Sequence, residues 1–122
     1  MPVVHRFDSN IVVIELIDEY SIKEFRATVI KSFEDPHCPQ NPVLLIDLSK
    51  SRSIQTRSSA SINSMASFIA SYAKRFNNRF AIVTPDDLTF GLMRMSSIQA
   101  DSFGIDLHIL RTFDEARKWL AG

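Results

Sequence analysis

The sequence predicts a single α/β domain, built on a mixed and mainly parallel sheet with an antiparallel N-terminal edge strand and four helices. Three observations support this fold class. Short apolar segments of strand length alternate with longer segments in which apolar residues recur every three or four positions. Capping sequences mark the starts of two helices. The chain has 122 residues, the length of one domain, so residues 1–122 are expected to form a single unit.

The first two strands are predicted at Val3–Phe7 and Asn10–Ile17, which are rich in β-branched and other apolar residues. Asp8 and Ser9 separate them and suit a tight hairpin turn. This pairing makes the first strand an edge of the sheet. The strand contains no Lys, and unprotected edges of this kind are often covered by another chain, which favours a homodimer.

The first helix is predicted from a capping box at Ser21 and Glu24, whose side chains and backbone groups can bond reciprocally. The helix should end before Pro36, the first of three prolines in a connection that reaches Pro42. Apolar residues fall on one stripe of this helix: Ile22, Phe25, Val29 and Phe33.

The middle of the chain supplies two buried strands and one long helix. Val43–Leu48 is a nearly continuous apolar run, which is typical of a strand covered on both faces. A helix is predicted from about Ser58 to Phe76, because apolar residues recur there in steps of three and four. Phe80–Val83 is the next short apolar run and predicts the fourth strand.

The last third of the chain supplies two helices around one strand. Thr84 and Pro85 suit the start of a third helix, which should stop near Gly104. Ile105–Leu110 predicts the fifth strand, and a second capping box at Thr112–Glu115 opens a short fourth helix. The predicted order is therefore β-β-α-β-α-β-α-β-α, in which right-handed crossovers place the later strands parallel.

Composition excludes several classes of function. Lys and Arg together number 14, as do Asp and Glu, so the net charge is zero and no nucleic-acid partner is expected. The single Cys forbids an internal disulfide and the usual zinc clusters, and we expect no metal or other cofactor. Apolar runs such as Ile11–Ile14 are too short for a membrane span, and the N-terminal residues lack a leader pattern. A cytoplasmic protein is therefore expected.

Four segments resemble those of a known family. Leu45–Ser49 (Leu-Ile-Asp-Leu-Ser) ends the third predicted strand, and Arg79–Val83 forms the fourth. Ala81–Met95 and Phe113–Leu120 are similar to segments of small uncharacterised bacterial STAS-like proteins. With the order of the elements, they resemble the STAS domain, the fold of bacterial anti-sigma-factor antagonists. The resemblance extends from Val3 to Leu120 and implies a regulatory module that binds a protein partner.

One motif of that family is missing. In the antagonists, Asp-Ser-Ser-Gly or Asp-Ser-Thr-Gly opens the second helix, and a kinase phosphorylates its second hydroxyl. Counted from the third strand, this motif falls on Gln55, Thr56, Arg57 and Ser58, so an arginine stands at the phosphorylated position. The resemblance therefore implies the fold without the usual phosphorylation switch, although Thr56 or Ser58 could accept a phosphate one place away.

The segment 50–59 is the candidate interaction site. It follows the third strand, at the carboxyl edge of the sheet where α/β proteins tend to bind ligands. Its cations and hydroxyls suit a protein partner or an anion, and a solvated loop with an ordinary helix cap is the alternative interpretation. The residues predicted to make these contacts are Arg52, Gln55, Thr56, Arg57 and Ser58.

A second hypothesis is a small-molecule binding domain for a lipid or an anionic metabolite. Flexible apolar side chains on the third predicted helix could contact such a ligand, namely Phe90, Met93 and Met95. Packing against the sheet would explain the same residues.

No enzymatic activity is expected. Asp47 ends a strand, where a catalytic carboxylate could lie, but STAS-like sequences commonly carry Asp there. His5, His37 and His108 are spread over the chain and do not converge in sequence with a nucleophile.

Overall fold

The computed structural model describes residues 3–18, 21–51, 67–84 and 104–121. Eight elements have defined bounds, and residues 67–71 are also helical. The elements are β1 (Val3–Asp8), β2 (Ile11–Asp18), α1 (Ile22–Glu34), β3 (Val43–Ser51), a 3-10 helix (Ala73–Phe76), β4 (Arg79–Val83), β5 (Asp106–Leu110) and α2 (Phe113–Ala121).

The five strands form one sheet in the order β1-β2-β3-β4-β5. β1 pairs with β2 antiparallel, and the remaining three pairs are parallel. This confirms the mixed, mainly parallel sheet and its antiparallel N-terminal edge. The division of the whole chain into one domain stays a prediction.

The hairpin turn lies one residue later than expected. Asp8 pairs with Ile11, so the two turn residues are Ser9 and Asn10 rather than Asp8 and Ser9. Ser9 has a φ of 54°, and a positive φ at the first turn position is what the favoured hairpin turns require. The turn geometry therefore moves Asp8 into β1.

β3 is longer than predicted, because it ends at Ser51 instead of Leu48. Its polar end stays paired with β2 beyond a register shift between Glu15 and Ile17, so that Ile17 lies opposite Lys50. Shifts of this kind are β-bulges, which apolar patterning does not reveal. Lys50 therefore belongs to a strand and not to the loop in which the sequence placed it.

Four helices are not confirmed. The described part of the predicted second helix is α-helical at 67–71 and then tightens into the 3-10 helix. There the Tyr72 and Arg75 amides donate to carbonyls three residues earlier, at 3.0 and 2.9 Å. Asn77 and Asn78 follow with positive φ values of 62° and 56° and turn the chain into β4. The predicted third helix lies outside the described residues.

The sheet separates two apolar cores, because alternate strand residues point to opposite faces. On one face, which we call the α1 face, the strands pack against α1 and residues 69–76. On the other, the α2 face, they pack against α2. Strand residues buried on the α1 face are Val3, Val12, Ile14, Leu16, Leu44, Ile46, Leu48, Phe80, Ile82 and Leu107. Those on the α2 face are Ile11, Val13, Val43, Leu45, Ala81 and Val83.

Both predicted helix starts are capped as expected. The Ser21 hydroxyl accepts from the Glu24 amide at 3.0 Å, and the Ser21 amide donates to the Glu24 carboxylate at 3.2 Å. At α2, the Thr112 hydroxyl accepts from the Glu115 amide at 3.2 Å and lies 3.1 Å from the Glu115 carboxylate. These contacts satisfy amide groups that the first helical turn cannot.

Candidate functional site

The residues singled out in the sequence are not all in the described part of the chain. Asp47 and Lys50 are described, and both lie on β3. The predicted partner or anion contacts lie outside the described residues, namely Arg52, Gln55, Thr56, Arg57 and Ser58. So do the predicted apolar ligand contacts, Phe90, Met93 and Met95. These eight assignments stay predictions, and the described residues define the edge of the sheet from which the segment 52–58 continues.

Asp47 is a buried polar residue at that edge of the sheet. It alternates with Val43 and Leu45, so it belongs to the α2 face, and it is only 8 % exposed. Its Oδ1 atom accepts a hydrogen bond from the Ser49 amide at 2.9 Å. The carboxylate therefore fixes the backbone of the strand end just before the segment 52–58. This local bond gives Asp47 a structural role.

Glu15 lies directly opposite Asp47 on β2 and holds two cations. Its carboxylate accepts a hydrogen bond from Arg6 Nε at 2.8 Å, and Lys50 Nζ lies 3.7 Å away. The bond from Arg6 is the main cause of a lowered pKa for Glu15; the nearby Lys50 charge adds to it, and partial burial opposes it. Glu15 is consequently a carboxylate at neutral pH and a weak candidate for a general base.

Glu15, Arg6 and Lys50 form a set that we call the charged rim. Two carboxylates in register, Glu15 and Asp47, repel each other, and the two cations offset that repulsion. Arg6 and Lys50 are 46 % and 64 % exposed, whereas the Glu15 side chain is 15 % exposed. The rim thus presents its positive groups to solvent, an arrangement that can bind an acidic group of a partner by ion pairing.

The sequence pointed to Lys50 but missed Glu15 and Arg6. Lys50 was expected to be one of three cations of an anion-binding loop, and its strand position next to Glu15 corrects that expectation. The signal for the other two residues is the hairpin register. Arg6 lies opposite Val13, one alternate position from Glu15, so both project from the same face of adjacent strands.

α2 is attached to the same face near the charged rim. The Arg6 guanidinium lies 4.8 Å from the centre of the Phe113 ring, at the first turn of α2. Arg117 Nε lies 3.1 Å from Asp8 Oδ2, which connects the next turn of the helix to β1. Arg6 therefore contacts both Glu15 of the charged rim and Phe113 of α2. A displacement of Arg6 would change both contacts.

Two of the three histidines meet at one carboxylate, which their separation along the chain does not predict. His5 Nε2 lies 3.1 Å from Asp35 Oδ2, and His37 Nδ1 lies 3.1 Å from Asp35 Oδ1. His108 is elsewhere and stacks on Trp119 with ring centres 4.1 Å apart. Across the ranges given for the structure, no group of three or more His, Cys, Asp or Glu side chains has an arrangement that could hold a metal ion.

None of the helical segments in the residues that the structure describes is both long enough and apolar enough to cross a bilayer.

No family model matches the chain, and no curated protein matches it. Among solved structures, the chain is similar to a putative anti-sigma factor antagonist from Thermotoga maritima, with a TM-score of 0.62 and 19 % sequence identity. The match covers 98 % of this chain and 95 % of that chain. An identity this low establishes the fold alone. The chain therefore shares its fold with the Thermotoga maritima protein, which agrees with the resemblance of its sequence segments to those of anti-sigma-factor antagonists.

Proposed function

We propose that this chain is a bacterial, cytoplasmic interaction module that regulates a protein partner by docking and performs no catalysis. The observation that carries the proposal is the likeness in fold, over nearly the whole chain, to a putative anti-sigma factor antagonist. The docking surface is the carboxyl edge of the sheet, where β3 leads into the segment 52–58.

The charged rim supports this choice of surface. Its two cations are well exposed, and the predicted segment adds Arg52 and Arg57 directly after β3. Arg6 and Lys50 offset the charges of Glu15 and Asp47, so Arg52 and Arg57 would leave this edge net positive. A net positive edge would attract an acidic surface on the partner and raise the association rate at low ionic strength. The neutral chain as a whole would not attract such a partner, so the attraction is local.

The docking is proposed to work without the phosphorylation switch of the STAS antagonists. Arg57 stands where those proteins carry the phosphorylated hydroxyl, and a Ser/Thr kinase cannot act on it. A permanent positive charge therefore replaces a group that would alternate between neutral and negative. Regulation would then depend on the concentration of the partner, with Thr56 and Ser58 as the neighbouring hydroxyls to examine for modification.

The test is gentle purification of the tagged protein from its own source, followed by native mass spectrometry. We expect a second polypeptide of fixed stoichiometry with the unchanged protein, and its loss in the double variant Arg52→Glu, Arg57→Glu. The matched control is Lys74→Glu, because Lys74 is an exposed cation that precedes the amino end of β4, at the opposite edge of the sheet.

Each outcome of that experiment bears on the proposal. Retention of the same polypeptide by all three proteins would place the docking surface elsewhere, and the absence of any polypeptide would count against a docking module. A retained small molecule that disappears on denaturation would instead favour the lipid or metabolite hypothesis and its predicted contacts, Phe90, Met93 and Met95.

The predicted homodimer belongs to the same proposal, but its interface would be the outer strand β1 and not the carboxyl edge of the sheet. β1 forms one edge of the sheet, where it pairs with β2, and it carries no Lys that would discourage a second strand. Light scattering coupled to size exclusion measures the molar mass directly. A mass near 13.9 kDa at micromolar concentration would reject the homodimer.

A further inference from the structure

Asp35 joins two histidines from different parts of the chain. Its Oδ2 atom lies 3.1 Å from His5 Nε2, and its Oδ1 atom accepts the His37 backbone amide at 2.9 Å. The same Oδ1 atom lies 3.1 Å from His37 Nδ1. His5 belongs to β1, Asp35 caps the C-terminus of α1, and His37 lies in the loop that follows. One carboxylate thus connects an edge strand, a helix end and a loop.

The loop that begins at Asp35 covers the sole cysteine of the chain. Cys38 donates its amide to the Asp35 carbonyl at 2.9 Å, and its half-buried side chain packs against the core of the α1 face. Its Sγ atom lies 3.7 Å from the Pro39 carbonyl oxygen. The amide hydrogen bond to Asp35 and the packing against the core therefore hold the thiol in a half-buried position.

The far end of the loop is attached separately. Asn77 Nδ2 donates to the Pro42 carbonyl at 2.9 Å, and the Val43 amide donates to the Asn10 carbonyl at 3.0 Å. Between the two attachments, three prolines cannot donate backbone hydrogen bonds, and Asn41 has a φ of 52°. The first half of the loop can therefore detach from β1 while its second half and the sheet stay in place.

We propose that His5, Asp35 and His37 form a clasp that holds the 35–42 loop closed, and that opening of this clasp exposes Cys38 while the sheet remains folded. The clasp is a conformational device of the fold and is independent of the proposed docking surface. It makes the accessibility of the thiol depend on one side chain of an edge strand.

The test uses Cys38 as a reporter, because a single cysteine gives a single alkylation product. The rate of N-ethylmaleimide addition is followed by intact-protein mass spectrometry at fixed pH, for the unchanged chain and for His5→Val. Valine keeps the strand propensity of position 5 and removes the imidazole. We expect the alkylation rate to rise by more than about twofold, because the contact that is lost joins two side chains that are each about a quarter exposed and therefore partly screened by solvent.

His5 is a better position for this test than Asp35. Burial is the main cause of the raised pKa of the Cys38 thiol; the Arg75 charge lowers this pKa, and the Asp35 charge raises it. Replacing Asp35 would therefore increase the thiolate fraction and speed alkylation without any opening of the loop. His5 has no such direct effect on the thiol.

Two further variants separate the clasp from a general loss of stability. His5→Gln retains an Nε2 donor at the same position and should restore most of the slow rate. His108→Val makes the same substitution on β5, the opposite edge strand, and should change the rate by less than about twofold because an exposed site away from Cys38 contributes little.

The urea dependence of alkylation decides between local and global opening. Local opening exposes little surface, so the rate in the unchanged chain should rise with urea much less steeply than the global unfolding constant. Equal slopes would show that Cys38 reacts only after global unfolding and would overturn the proposal. So would a His5→Val rate within about twofold of the unchanged chain, since loss of a hydrogen bond to a charged group should exceed that factor.

Discussion

The two faces of the sheet are held by different kinds of contact. The α1 face is covered by α1 and by residues 69–76, which bury large aromatic rings against the strands. In the described part of the chain, the α2 face is covered by one helix of nine residues. Burial of aromatic rings therefore contributes most to the packing on the α1 face. On the α2 face, a few polar contacts help the apolar core to position the helix.

The aromatic rings of the α1 face form a continuous series. Phe33 stacks on Tyr72 and on Phe76, with ring centres 6.0 and 6.2 Å apart. Phe76 meets Phe80 of β4 edge-on at 5.4 Å. Such pairs add to the free energy gained from burying the rings themselves, so this face should tolerate changes at its surface and respond strongly to changes in its interior.

On the α2 face, arginines hold both ends of the helix. Arg6 contacts Phe113 at the first turn, and Arg117 of the helix itself pairs with Asp8 of β1. Arg79 donates to the Trp119 carbonyl at the last turn, and its guanidinium lies 4.5 Å from the centre of the Trp119 ring. Arg79 Nε is buried without a hydrogen-bond partner among the described residues. The cost of burying this donor offsets part of the free energy that the other Arg79 contacts contribute.

The largest expected effect is on the α1 face. Phe25→Ala removes a ring that is 1 % exposed and should lower the free energy of unfolding by about 3–5 kcal/mol, because a cavity remains. Phe113→Ala, the matched change at a half-buried position of α2, should cost less than about 2 kcal/mol. Urea denaturation measures both. Equal losses would remove the distinction between the two faces.

The next effect concerns the attachment of α2. Arg79→Ala should lower the protection of the α2 amides against hydrogen exchange by about 2 kcal/mol, because it removes both a charged hydrogen bond and a contact with the Trp119 ring. The α1 amides should be affected less. Lys118→Ala, a change at an exposed residue of the same helix turn, is the control, and a similar loss there would contradict the role assigned to Arg79.

A smaller effect follows from the charged rim and depends on pH. The folded pKa of Glu15 is lowered, so its contribution to stability is fully present above the unfolded value of about 4.3. It is lost as the pH falls through the folded value. Glu15→Gln should therefore flatten the decline in the free energy of unfolding on acidification. Glu34→Gln at the exposed end of α1 is the control, and an NMR titration of Glu15 gives the pKa directly.

The smallest effect is expected at the helix starts. Thr112→Ala removes the acceptor of the Glu115 amide and should cost about 1 kcal/mol, and Thr112→Ser should restore most of it. Ser21→Ala is the equivalent change at α1. If α2 unfolds more independently of the sheet than α1 does, the loss of protection against hydrogen exchange in Thr112→Ala should be found mainly within α2. The loss of protection in Ser21→Ala should extend into the strands of the α1 face.

Local patterns in the sequence predicted the elements well. Short apolar segments placed all five described strands, and the boxes at Ser21 and Thr112 placed the starts of α1 and α2. Each of these signals lies within a few residues of the feature it predicts. The resemblance of Leu45–Ser49 and its companions to STAS-like segments likewise agrees with the fold likeness.

Features that depend on distant residues were not predicted. The polar extension of β3 depends on a register shift against β2, in which β3 carries the extra residue, and the Asp35 contact with His5 joins residues 30 positions apart. The charged rim needs the hairpin register before Arg6 and Glu15 can be placed together. The predicted contacts at 52–58 and at Phe90, Met93 and Met95 stay predictions, because they lie outside the described residues.

The strand order has a consequence for how the chain acquires its structure. Each strand neighbours the one before it in the chain, so every new strand adds to an edge that already exists. During synthesis, the hairpin and β3 can assemble before β5 has left the ribosome. Among the described elements, α2 follows all five strands and packs on the second face of the completed sheet. A chain that stops before α2 would lack this cover over the apolar residues of the α2 face.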